Sequence, residues 1–158
     1  MKSLIKIIKS IESKICKNLF GLITGIIFYA GTLGLPNKVY ADDFYVSILG
    51  DDSRIEQQAQ NSETPWKTIQ HAIDSIIGTA ENPHNIKVSE GTYLENIIMN
   101  DYESIWGGYD SNTWERNIKE NKTIVDGQHN ETVIIGANHV IIDGLTIQNG
   151  TSHKGGGV

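Results

Sequence analysis

The stretch HVIIDGLTIQNG, residues 139–150, sets two short apolar runs on either side of Asp143-Gly144, and TIVDG, residues 123–127, closes another run with the same two residue types. Side chains alternate along a strand, so Val140 and Ile142 share a face, and Leu145 and Ile147 share a face. Ile142 and Leu145, however, are three positions apart, which on a straight strand would send the two pairs to opposite sides. The phase slips at Asp143-Gly144, and Asp-Gly supplies the backbone conformations a tight corner needs. A bend there aims both runs inward, as consecutive sides of one coil. TIVDG then repeats the corner, with Thr123 and Val125 matching Val140 and Ile142. A corner written on consecutive turns predicts an all-β solenoid whose coils stack at about 4.8 Å. Ile124 and Ile141 would face outward and need a loop or a partner to cover them.

Working back from that stretch, the chain is a series of short β runs: NIKVSEG, TYLENIIMN, SIWGG, KTIVDG and TVIIGA. Each ends in or near Gly, Asn or Asp, and none has helical periodicity. Before them, FYVSIL, residues 44–49, predicts a strand, and DDSRIEQQAQNSE reads as a loop. TPWKTIQHAIDSIIG predicts an amphipathic helix over residues 65–77. Thr64 is placed to cap it, Pro65 suits its first turn, and Trp66, Ile69, Ala72, Ile73, Ile76 and Ile77 recur at helical spacing until Gly78.

The first 41 residues have another texture, with six lysines against the single acid Glu12 and the apolar run LFGLITGIIFYAGTLGL at residues 19–35. Val39 and Ala41 give the small-residue spacing of a signal-peptidase site, so residues 1–41 read as an export signal cut between Ala41 and Asp42, and residues 42–158 as the exported domain. The alternative is an uncleaved anchor, with Leu4, Ile8, Ile11 and Ile15 on one face of a helix lying on the cytoplasmic leaflet. Membrane contact is expected only through this segment, and both readings put the remainder outside the cytoplasm, secreted or at the cell surface. Without the leader, seven basic and eighteen acidic residues remain, a net charge of −11. Such a surface repels phosphate backbones, so nucleic acid is not an expected partner. The only cysteine, Cys16, lies in the leader, and the exported part must be held by backbone pairing and apolar burial alone.

Read in order, PWKTIQHAIDSI, GTYLENI, GGYDSNTWERN, TIVDG, IIDGLTIQNG and GGGV resemble a series found in secreted bacterial right-handed parallel β-helix proteins of pectin-lyase-like fold. That series runs from a cap helix through a GTY-x-E-N strand, a GGYD…W-x-x-R-N loop and a T-I-x-D-G corner to an I-D-G-L-T-I coil and a Gly-rich turn. The match spans nearly all of residues 44–158. The resemblance implies that the chain is the N-terminal portion of such a protein, with the helix plugging the first coil. It also implies that the remainder of the β-helix, or another chain, covers the last coil.

Polysaccharide lyases share that fold, and the resemblance brings with it a calcium ion held by carboxylates and an Arg or Lys acting as base. The residues themselves indicate no cofactor. Asp126 and Asp143 would form a carboxylate pair if they sat on neighbouring coils, able to hold calcium or move protons; the plainer reading makes each a corner residue bonded to its own backbone. Trp106, Tyr109 and Trp114 cluster around GGYD and would suit stacking on sugar rings; the plainer reading is packing of that loop. Lys87 is expected to point outward beside Glu95 for solubility, the five histidines to be ordinary surface residues, and Asp42-Asp43 and Asp51-Asp52 to be solvated. Two functions follow as expectations. One is a non-catalytic surface or adhesive scaffold that binds a polysaccharide or cell-surface glycan. The other is the front of a polysaccharide lyase or hydrolase whose catalytic coils lie beyond residue 158.

Overall fold

Inward and outward side chains alternate along most strands of the computed structural model, which describes residues 40–151; residues 1–39 and 152–158, which hold most of the expected export signal and the GGGV turn, lie outside them. The strands are β1 (Asp42–Val46), β2 (His84–Ser89), β3 (Gly91–Tyr93), β4 (Ile97–Ile98), β5 (Glu103–Tyr109), β6 (Thr123–Asp126), β7 (Ile134–Ile135), β8 (Ile142–Asp143) and β9 (Leu145–Gln148). Two helices, α1 (Glu56–Ala59) and α2 (Ile69–Ser75), fall between β1 and β2.

The strands form three sheets, a long one ordered β1-β2-β5-β8, a middle one ordered β3-β6-β9 and a short one of β4-β7. Every pair of named strands is parallel. From β2 onward the chain visits long, middle and short sheets in rotation, then repeats the circuit.

Register makes apolar columns. Phe44 lies against Ile86, Ile86 against Ile105, and Ile105 against Ile142 in the long sheet. Tyr93, Val125 and Ile147 do the same in the middle sheet, and Ile97 and Ile134 in the short one. Each fully buried aliphatic side chain contributes about 1.5–3 kcal/mol relative to exposure. Val140, Ile142, Leu145 and Ile147 pack on this core but are only partly covered. On the outer side Ile141 is 51% exposed, and Ile124 is half-buried.

The corner at Asp143-Gly144 ends β8 and opens β9. Gly144 has φ +74, and a Cβ there would lie 2.6 Å from the Gly107 carbonyl oxygen, so only glycine lets this corner stack on the coil before it. The two Asp-Gly corners are nevertheless not copies of one another. Thr123 and Val125 pair with Leu145 and Ile147, not with Val140 and Ile142, because TIVD leaves the middle sheet whereas Ile142-Asp143 leaves the long sheet beside Ile105-Trp106.

The helix is shorter than its periodicity implies. It begins at Ile69 rather than Pro65, with Thr68 extended at the cap position. Strand β1 claims the preceding residues: Trp66 N–H donates to the Tyr45 carbonyl (2.9 Å), and Ser47 N–H to the Trp66 carbonyl (2.9 Å). The Trp66 ring stacks on Phe44 with centroids 5.7 Å apart. The helical N–H groups find acceptors elsewhere, since the Glu95 carboxylate takes Ile69 N–H (3.0 Å) and Gln70 N–H (2.8 Å). Helix α2 lays Ile69, Ala72 and Ile73 on early strands, packing against β1, β2 and β4. It ends at an extended Ile76, leaving Ile77 83% exposed. The segment expected to be wholly loop holds the single turn α1, which buries Ala59.

Candidate functional site

Strand alternation turns Asp43 and Tyr45 of β1, Asn85 and Lys87 of β2 and Trp106 of β5 toward solvent, and parallel register lines them up across the long sheet. The loop of residues 110–122 folds over this row. Asp110 starts the loop by accepting the N–H groups of Asn112 and Thr113, both at 2.8 Å, which holds its carboxyl below the ordinary value. Trp114 then adopts φ +57 and turns its ring onto the edge of Tyr45 at 4.8 Å. Arg116 closes the loop: Nε donates to the Gly107 carbonyl (2.8 Å), and Nη2 pairs with the Asp143 carboxylate.

Trp106 and Tyr109 are therefore occupied. The Arg116 guanidinium lies 5.5 Å from the Trp106 ring centroid and 5.9 Å from that of Tyr109, and Trp106 Nε1–H donates to Asn85 Oδ1 at 2.9 Å. These two rings hold the loop through cation–π contact. Lys87 is not a free surface lysine beside Glu95. It pairs with Asp43, 5.4 Å from the Tyr45 ring centroid; burial opposes its charge, but the Asp43 carboxylate outweighs this and raises its pKa. Glu95 serves α2 instead.

Trp114 differs, because it also lines an open cavity of about 310 Å³ between the 110–122 loop and the segment after β1. The other walls include Arg54, Glu63, Ser47, Ser111 and Asn112. Arg54 is fixed by donating to the Pro65 carbonyl, and its own carbonyl accepts Trp66 Nε1–H at 2.8 Å. One aromatic ring among hydroxyl, amide, guanidinium and carboxylate groups matches the surface of a sugar, which offers a C–H face and a rim of hydroxyls.

Asp126 and Asp143 do not form a pair. Asp126 belongs to the middle sheet and accepts from Gln128 N–H (2.8 Å), Gln148 Nε2 (2.8 Å) and Asn149 Nδ2 (2.9 Å), which together lower its pKa. Asp143 belongs to the long sheet and faces Arg116. Set on different sheets with separate N–H partners, the two carboxylates do not make the joint site that the calcium ion implied by the family resemblance would need. Among the described residues no group of three His, Cys, Asp or Glu is arranged to hold a metal.

Several other expectations are corrected. Asp43 and Asp52 are not merely solvated: Asp43 holds Lys87 and Asn85, and Asp52 accepts from Lys67 N–H, Thr68 N–H and Thr68 Oγ1. His84 is no surface residue; it is 5% exposed with its ring against Phe44. Glu103 is fully buried, one residue ahead of the SIWGG run. Stepping the alternation back two residues from Ile105 and Ile86 reaches Glu103 and His84, and a titratable residue in phase with core isoleucines is the available signal. Ala41 lies just before β1, and Asp42 is its first residue.

No family model matches the chain, and neither a curated protein nor a solved structure matches it.

Proposed function

We propose that residues 42–151 are the opening coils of an exported right-handed parallel β-helix that binds a polysaccharide or cell-surface glycan without cleaving it. Rotation of the chain through three parallel sheets supports the coil, and crossovers between parallel strands are right-handed in about 98% of cases. The charged leader and apolar run of residues 1–41 support export to the cell surface or medium. Strands β7, β8 and β9 are outermost in their sheets, which supports cover by further parallel coils or another chain.

The observation that carries the binding role is Trp114 lining a polar cavity between two loops. Binding is favoured over lyase or hydrolase chemistry in this segment because Lys87 and Arg116, the basic groups on the long-sheet face, are each neutralised by a carboxylate. A glycan array probed with the full chain tests this. The expected result is retention on a subset of glycans, weakened at least about fivefold in Trp114→Ala, the loss of about 1 kcal/mol or more expected when an aromatic anchor is truncated. No retention would refute the binding role, and release of unsaturated sugars from a bound polysaccharide would favour the enzymatic reading.

A further inference from the structure

The cavity on the long-sheet face leaves one buried ionisable group unexplained. Glu103 opens β5 on its inward side and is fully buried. One carboxyl oxygen, Oε1, accepts the N–H of Gly78, the residue where the chain leaves α2, at 3.2 Å. Nearby, Asn100 donates from Nδ2 to the Ile73 carbonyl in the last turn of α2, at 3.1 Å, and its amide favours the charged form of this carboxyl. The other oxygen, Oε2, is buried and meets no hydrogen-bond partner among the described residues. The exit segment is interlocked here, since a Cβ on Gly78 would lie 2.7 Å from the carbonyl oxygen of Tyr102, the residue before Glu103.

Among the described residues no basic group is a cause of this carboxyl's pKa shift. Asp74 on α2 adds a repelling charge. The register neighbour on β2 is His84, and the next residue down that column is Asp42. Asn82 donates one amide hydrogen to Asp42 Oδ2 and directs the other toward His84 Nε2, both at 3.1 Å. Nε2 is then the acceptor of a neutral imidazole, and burial favours that neutral form, lowering the ring's pKa despite Asp42. Asp101, two residues before Glu103, accepts from the backbone and side chain of Asn138. An ionised Glu103 would thus be a buried charge with one uncompensated oxygen among acids and a neutral imidazole, whereas the uncharged acid suits the site.

We propose that Glu103 is a proton-operated latch on α2: uncharged, it holds Gly78 against the coil; ionised, its buried and uncompensated charge releases the exit segment and loosens the helix that covers the early strands. The operating range lies near neutrality, because burial, aided by Asp74, pushes the carboxyl up to about 7 against the opposing hydrogen bonds. A cavity of about 390 Å³ lined by Ile77, Gly78, Asn100, Asp101 and Glu103 gives the segment room to move.

Amide hydrogen exchange on the full chain tests the latch, with rates corrected for intrinsic base catalysis. Protection of Gly78 N–H is expected to fall at least about tenfold between pH 5.5 and 8.5. In Glu103→Gln, which keeps an acceptor but cannot ionise, protection should not change with pH. Asp74→Asn, on the exposed side of α2, provides a second test independent of whether the first variant folds: removing the repelling charge should make the loss of protection smaller and complete at lower pH. Equal protection of Gly78 at both pH values in the parent chain, the same pH dependence in Glu103→Gln, or an unshifted transition in Asp74→Asn would each overturn the proposal.

Discussion

Glu103 and His84 are neighbours in one inward column, yet they tilt the stability of the fold in opposite directions with pH. Burial raises Glu103 from 4.5 to about 7, so the folded chain holds this proton where the unfolded chain has lost it. Its contribution is complete below about 4.5 and is lost as pH rises through about 7. His84 is lowered from 6.5, chiefly by burial, so the folded chain binds fewer protons just below that value, and stability falls on acidification there. Glu95 is also raised, again by burial first, and works in the same sense as Glu103. The expected result is a maximum in the urea midpoint on the acid side of neutrality. Glu103→Gln should flatten the decline on the alkaline side of that maximum and leave the His84 limb in place. A parent midpoint that climbs steadily from pH 5 to 8.5 would contradict this assignment.

At the scale of elements, the fold depends on groups that reach across the sequence. Glu95, in the turn between β3 and β4, does for α2 what a local cap residue does elsewhere. Glu95→Ala should therefore cost about 0.5–2 kcal/mol, the usual worth of an N-cap. Glu95→Gln, which keeps one acceptor, should recover part of it. Chemical denaturation of the three proteins checks the order, and an unchanged midpoint in Glu95→Ala would show that α2 needs no cap. This dependence also explains which elements the sequence disclosed. The phase slip at Asp143-Gly144 was legible because two-residue alternation and corner chemistry are local. Which sheet each corner serves was not, so TIVD was aligned with the wrong run. Thr64-Pro65 has the local marks of a helix start, but β1 takes the Trp66 backbone for itself, and only the pairing partner reveals that. Trp114 was legible as an aromatic beside GGYD, whereas the cavity it lines was hidden because the walls facing its loop come from residues 47–65.

For the whole molecule, the dominant long-range force is self-repulsion. The chain carries a formal net charge of −6, with −11 gathered in residues 42–158, and few of the acids are matched: among the described residues the lysine and arginine ion pairs are Lys87 with Asp43 and Arg116 with Asp143. Acids that cap backbone groups, such as Asp52 and Glu95, keep their local partners at any salt concentration, because those contacts are short and partly sheltered. The remaining repulsion acts over longer distances, and salt shortens its range from about 30 Å at 0.01 M to about 10 Å at 0.1 M and 3 Å at 1 M. Folding concentrates this charge, so screening should favour the folded chain. The two surface pairs lose strength under the same conditions, but each is worth about 1 kcal/mol or less. Repulsion from the unmatched acids should win, and the thermal midpoint should rise monotonically as NaCl goes from 0.01 to 0.5 M, by roughly a few degrees for a stabilisation near 1 kcal/mol. The same screening lets a second acidic surface approach the outermost strands, so the sedimentation coefficient should rise along with the midpoint if parallel strands add there. A midpoint that falls with salt would mean that the Lys87 and Arg116 pairs outweigh the net charge, and that the fold rests on its sheet-face ion pairs rather than on apolar columns working against a uniform repulsion.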